Sequence, residues 1–444
     1  MPQSKMPPDF LWGAATASYQ IEGAPNEEGR GESIWDRFSA TPGKVKNGDT
    51  GAVACDHYHR YIEDVALMAR LGLHAYRFSI AWPRILPEGT GTPNQAGLDF
   101  YSHLVDELLA AGIQPFATLY HWDLPQILQD RHGGWLGRDT AEAFAAYAEV
   151  VVRTLGDRVK DWITLNEPLC SSWLGHGIGI HAPGFRDPAL AMRAAHNLLL
   201  GHGFAAPILR DNCRGARVGI SLNLNPTHPA TESPADQAAA RHADLLANRL
   251  FLDPLYRGAY PRELLEQFGE HAFGVVDGDM RIVSAPLDFL GINYYTRSFR
   301  RADPAGLDPT GEEARIEGVD RTEMDWEIYP DGLHEMLSRV HREYHPSALY
   351  VTESGAAFPD VLTESGAVHD ERRRAYLESH FAAAQRLVAE GVPLRGYFVW
   401  SLLDNFEWAE GYGKRFGLVY VNYPSQRRVV KDSGRWYADF IAAS

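Results

Sequence analysis

Eight short apolar runs recur along the chain, separated by amphipathic stretches. The runs cover residues 10–14, 75–82, 114–122, 161–166, 217–225, 288–296, 348–353 and 394–402. They are rich in Val, Ile, Phe, Tyr and Trp and apolar at nearly every position, which is the pattern of strands buried on both faces. After the first run, Tyr58, Tyr61, Ile62, Val65, Met68 and Leu71 recur at spacings of three and four, so a helix turns one apolar stripe toward a sheet. Similar stripes lie within 98–111, 140–155, 189–210, 235–250, 333–344, 372–389 and 433–440. Strand and helix alternating eight times predict an α/β chain closed into a single (β/α)8 TIM barrel over residues 1–444. A doubly wound open sheet is the competing architecture, but no G-x-G-x-x-G follows the first strand.

The connections are uneven. Long segments rich in Gly and Pro follow the first, fourth, sixth and eighth strands, at 22–54, 167–188, 297–330 and 404–431. Loops of that length usually shape a binding site, and in a barrel all four would stand on the rim that carries active sites.

Charge and cysteine usage narrow the partners. Forty-two basic against 58 acidic side chains leave a net charge of −16, which opposes nucleic acid and anionic membrane and suits a neutral small molecule. No apolar segment is long enough to span a bilayer. Residues 10–18 look like the end of a signal peptide, yet they follow two prolines and Asp9 and read better as a strand. Cys55, Cys170 and Cys213 are odd in number and widely spaced, which argues against a disulfide framework and favours a cytoplasmic location. Cys170 reads as packing. His57 and His59 precede a helix and follow no strand, so no metal site is expected, and no cofactor motif is present. A homo-oligomer is compatible with all of this.

The strongest chemical signal is TLNEP at 164–168, where an apolar strand closes on Asn166 and Glu167 before Pro168 stops it. A carboxyl beneath an apolar wall has its ionised form disfavoured, as a general acid requires. The seventh strand closes in the same way, with Glu353 followed by Ser354 and Gly355. Alone, Glu167 reads equally well as a polar strand end, and Glu353 reads more readily as a solvated strand-end charge. As a pair on the rim of one barrel they face a shared cavity, and cleavage of a glycosidic bond needs two such carboxyls. Gln20, His121, Glu407 and Trp408 also fall at or just beyond strand ends. Trp82, Trp122 and Trp400 suit either the cavity or the core, while Trp173 and Trp326 on long rim loops read as walls for the leaving group.

The motifs TLNEP and YVTESG (350–355) resemble those of glycoside hydrolase family 1, the β-glucosidase family. The resemblance extends through FLWGAATASYQIEG (10–23), YRFSIAWPR (76–84), LYHWDLP (119–125), NFEWAEGY (405–412) and RFGLVY (415–420), in that order. It implies a retaining β-glycosidase with Glu167 as acid/base and Glu353 as nucleophile. It implies that Gln20, His121, Asn166, Glu407 and Trp408 bond the sugar hydroxyls above a floor at Trp400, with Asn166 at the 2-hydroxyl. Arg77 and Tyr295 would keep Glu353 ionised, and Asn293 would complete their surroundings. Trp122, Trp326 and Phe416 join the substrate-facing set. The family commonly carries Asn after the nucleophile; here Ser354 stands there, with its side chain expected to point away from the sugar.

The resemblance therefore implies hydrolysis of terminal β-D-glucosyl residues from oligosaccharides or aryl and alkyl glycosides, with galactosyl and fucosyl residues equally accommodated. Two alternatives are a 6-phospho-β-glycosidase, disfavoured by a negative Glu407 at the 6-hydroxyl, and a non-catalytic glycoside-binding barrel, which has no need of both glutamates.

Overall fold

A computed structural model describes residues 6–444. Eight parallel strands close into a barrel in sequential order: β1 (Leu11–Ala15), β2 (Ala75–Ser79), β3 (Gln114–Tyr120), β4 (Asp161–Asn166), β5 (Arg217–Asn223), β6 (Phe289–Asn293), β7 (Leu349–Ser354) and β8 (Leu394–Trp400). Helices including His57–Arg70, Gln95–Ala110, Arg138–Leu155 and Glu371–Ala389 follow the strands. The closed parallel barrel expected from the alternation is present. Among the described residues no helix is long and apolar enough to cross a membrane.

Several strands stop earlier than the apolar runs suggest. The second ends at Ser79 because Pro83 opens a short helix, Trp82–Ile85, whose first turn tolerates a missing N–H. The third ends at Tyr120, since Trp122 takes a left-handed backbone with φ 79°. The helix expected over 235–250 is Pro234–Asp244 followed by a wide turn, Leu245–Arg249. That turn presents Asn248, whose side chain bonds both the N–H and the C=O of Asn225, just past β5.

Aromatic rings plug the barrel below the site. Phe116 meets Phe398 at 4.9 Å and Phe289 meets Tyr350 at 5.2 Å between centroids, and such pairs add about 0.5–1.5 kcal/mol each beyond their burial. Gly219 makes this layer possible, because a Cβ there would lie 2.4 Å from the Phe289 ring. The plugged interior leaves the C-terminal rim as the open end.

The four long connections are more ordered than their composition suggests. The first contains Ile34–Ala40, started by a Ser33–Asp36 capping box. The second winds into a wide helix, Cys170–Gly177. The third contributes Ser298–Arg301 and Glu312–Glu313 to a small sheet with Thr227–Pro229. The fourth folds as a hairpin of Val419–Asn422 and Arg427–Val430. Buried ion pairs fasten that last loop: Asp404 accepts from Lys431 Nζ and from Arg415 Nη1, each at 2.6 Å. The loop carries Glu407, Trp408 and Phe416.

Candidate active site

Both glutamates sit where strand pairing slips. β7 loses register with β6 between Val351 and Glu353 and with β8 between Val351 and Ser354, while β4 slips against β5 between Ile163 and Asn166. Such irregularities re-aim side chains that a regular strand would send alternately inward and outward. Glu167 then takes a left-handed backbone, φ 45°, with its N–H on the Ser221 carbonyl at 2.9 Å. Trp122 and Trp408, with φ 79° and 50°, are held the same way. Each such residue costs about 1–3 kcal/mol and persists only where surrounding contacts impose it. Beyond β7 the chain passes so close to β8 that a Cβ on Gly355 would lie 1.7 Å from the Trp400 carbonyl oxygen. Only glycine fits there.

The two carboxyls have opposite surroundings. Arg77 Nη1 donates to Glu353 Oε1 at 2.7 Å, and the Tyr295 hydroxyl donates to Oε2 at 2.7 Å. Arg77 is itself braced by Asn166 Oδ1 at 2.6 Å and Thr118 Oγ1 at 3.1 Å. Burial pushes the Glu353 pKa up, and the Arg77 charge and these hydrogen bonds pull it back. Glu167 bonds no cation; its Oε1 accepts from Asn293 Nδ2 at 2.6 Å. Burial, and then the charge of Glu353, push Glu167 up to about 7. Of the pair, Arg77 and Tyr295 thus favour the ionised form of Glu353 against its burial, while burial and the neighbouring charge favour the protonated form of Glu167. Asn293, expected in the surroundings of Glu353, bonds Glu167 directly and also donates to Asn166 Oδ1 at 3.0 Å.

Above them lies a cavity of about 350 Å³. His121, Trp122, Glu167, Tyr295, Trp326, Glu353, Trp400, Glu407, Trp408 and Phe416 all line it, drawn from segments spread over almost 300 residues. Gln20, Arg77, Asn166 and Asn293 stand behind that wall. Gln20 Nε2 bonds the Phe406 carbonyl at 2.9 Å and reaches Glu407 Oε2 at 3.4 Å, while its Oε1 is buried without a protein partner. His121 is kept neutral by burial and by Arg77. Its Nε2 faces Asn166 Nδ2 at 3.0 Å and accepts from it, so the ring proton sits on Nδ1, which has no protein partner. One buried acceptor and one buried donor are thus left for hydroxyl groups. Burial and the charges of Glu353, Glu167 and Glu410 lift Glu407 to about 8.

Two expectations change, for Trp173 and Cys170, and the open choice at Trp82 is resolved. Trp173 does not line the cavity but packs against Phe268 at 6.3 Å. Trp82 is core, stacked on Tyr147 at 5.0 Å. Cys170, read as packing, lines the cavity with Sγ 3.0 Å from Glu167 Oε2. Ser354 turns away from the cavity, its hydroxyl 3.3 Å from that of Tyr376. The lining also contains Leu174, Ile180, His181, Asn223, Asn225, Thr296, Met324, Ala409 and Glu410, none of which was singled out in the sequence. Asn223, Asn225 and Thr296 were findable as polar residues at or just past the ends of β5 and β6. Ile180, His181 and Met324 lie within long loops and carry no local signal. Among the described residues no Lys or Arg lines the cavity.

The model of glycosyl hydrolase family 1 matches residues 2–444. The chain belongs to that family. Over 439 residues it is 52% identical to Beta-glucosidase A of Thermotoga maritima, covering 98% of both chains. It is 49% identical over 457 residues to a bifunctional beta-D-glucosidase/beta-D-fucosidase of Bifidobacterium breve, again covering 98% of each. The solved structure of the Thermotoga maritima beta-glucosidase in complex with glucoimidazole superposes with a TM-score of 0.95 at 51% identity, covering 99% of both chains. This family 1 chain therefore shares fold and length with enzymes named for β-glucoside cleavage.

Proposed function

We infer that this family 1 enzyme is a retaining β-glucosidase in which Glu353 attacks the anomeric carbon while Glu167 protonates the departing oxygen. The observation carrying the reading is the unequal wiring of two buried glutamates, one gripped by Arg77 and Tyr295, the other bonded by the Asn293 amide and by no cation. A charged nucleophile and a protonated acid facing one cavity are what the first half of a double displacement requires. Once Glu353 is esterified its charge is gone, one cause of the raised Glu167 pKa disappears, and Glu167 ionises to activate water. Gln20, His121, Asn166, Glu407 and Trp408 would bond the sugar hydroxyls, with the tryptophan and Phe416 rings as walls. The name of the Bifidobacterium breve relative supports β-fucosides as a second substrate group.

A mechanism-based label tests this. With 2,4-dinitrophenyl 2-deoxy-2-fluoro-β-D-glucoside, one covalent sugar is expected, on the peptide carrying Glu353. A label on any other residue refutes the role assignment.

Neutral sugar is favoured over a 6-phosphate. Glu407, lifted to about 8, is not the fixed negative charge expected at the 6-hydroxyl, so the stronger reason is a cavity that no Lys or Arg among the described residues lines. Nitrophenyl β-glucoside is therefore expected to be cleaved at least 100-fold faster, on the order of a lost charge-assisted bond or two, than its 6-phosphate. Faster cleavage of the phosphorylated sugar reverses that conclusion.

The reading extends to cellobiose as a substrate and to a cytoplasmic location. The latter is supported by Cys55, Cys170 and Cys213 all being buried free thiols.

A further inference from the structure

The second oxygen of Glu167 meets a thiol. Asn293 Nδ2 donates to Oε1 at 2.6 Å, so the acidic proton belongs on Oε2, and Cys170 Sγ lies 3.0 Å from that atom. The backbone sets this contact: the Cys170 N–H bonds the Glu167 carbonyl at 2.9 Å, and Cys170 opens the wide helix that follows. On its other side the sulfur meets Asn223 Nδ2 at 4.0 Å. Burial, and then the charge of Glu167, push the thiol pKa far up, so it stays S–H at working pH and is no nucleophile. A thiol is a weak donor and a weaker acceptor. Its bond to Oε2 therefore favours the carboxylate form of Glu167 and leaves the protonated form largely untouched.

We propose that Cys170 is a positioning residue for the acid/base: its S–H holds Oε2 of Glu167 while that carboxyl is ionised and lets go when the carboxyl takes up a proton. This rests on the reading of Glu167 as acid/base. In the first step the Oε2–H bond breaks and the proton passes to the departing oxygen. During the life of the glycosyl-enzyme the carboxylate accepts from Cys170 and is kept aimed at the anomeric centre. Water oxygen then bonds the anomeric carbon as the ester bond to Glu353 breaks, the water proton returns to Oε2, and the hydrogen bond from the thiol to Oε2 is released. Sulfur keeps its own proton throughout.

Other groups also face Glu167. Glu353 and the Arg77 guanidinium are the charged neighbours, burial and the nearby carboxyls lift Glu407 to about 8, and burial keeps His121, His181 and Tyr295 neutral. None of them bonds the sulfur, so changing it leaves their mutual contacts in place.

The test is the pH profile of kcat/KM on cellobiose for Cys170→Ala, Cys170→Val and Cys170→Ser. Without the donor, Glu167 ionises less readily, so the basic limb should move up by about half a pH unit in both the Ala and the Val variants. Val keeps nearly the wild-type volume and serves if Ala folds poorly. Ser, a stronger donor, should leave the limb at or below its wild-type position. Basic limbs equal to wild type in Ala and Val, whatever the melting temperatures, overturn the proposal. The acid/base reading is judged separately by azide rescue of Glu167→Ala: if no β-glucosyl azide forms, that reading falls rather than the thiol contact.

Discussion

Glu353→Gly is expected to lower kcat/KM for β-glucosides by on the order of 10⁴–10⁶, the scale seen when a nucleophile is deleted, and azide should restore turnover with α-glucosyl azide as product. The carboxylate removed is the group that Arg77 and Tyr295 hold toward the cavity. Its loss leaves a small space on the α face next to an unneutralised guanidinium. A small anion fits both features and attacks from the nucleophile's side, inverting the anomeric centre. The anomeric coupling constant of the azide, read by NMR, decides the matter. A β-azide would mean that the two glutamates have exchanged roles.

Glu167→Ala should produce a different signature. General acid catalysis contributes typically 10²–10⁴, so kcat/KM on cellobiose or alkyl glucosides is expected to fall by roughly that factor. Dinitrophenyl glucoside needs no protonation of its leaving group, so its first step should be far less affected and the glycosyl-enzyme should accumulate. Azide then enters from the β face and gives β-glucosyl azide. The pH profile supplies a second readout. With Glu167 lifted to about 7, wild-type kcat/KM is expected to decline as pH rises through that value and the proton is lost; the variant should lack this limb. An unchanged basic limb in Glu167→Ala would assign the acid to another residue, with Glu407, lifted to about 8, next in line.

Alternation of apolar runs with amphipathic stretches was enough to read the barrel, because strands buried on both faces are apolar throughout and carry that property locally. The strand ends were less legible. Trp122 is as apolar as any strand residue, and its left-handed backbone comes from packing against His181 at 5.3 Å and Trp408 at 4.5 Å, residues remote in sequence. Glu167, Glu353, His121 and Glu407 could be found because each ends or follows an apolar run. Cys170 could not be found in that way. Three residues beyond Glu167 is an ordinary helical offset, and only the path of the wide helix brings its sulfur to Oε2. Trp173 shows the opposite error, since a tryptophan on a rim loop suits a substrate wall, and here it packs against Phe268.

By itself the sequence determined the (β/α)8 scaffold and the rim positions of both glutamates, because burial pattern and strand-end chemistry are properties of neighbouring residues. The tertiary structure decided which glutamate is gripped by a cation and which is bonded by an amide and by no cation. Arg77 stands 276 residues from Glu353 along the chain and Asn293 stands 126 from Glu167, and a carboxyl's pKa follows the charges and donors within a few ångströms of it, not those nearby along the chain.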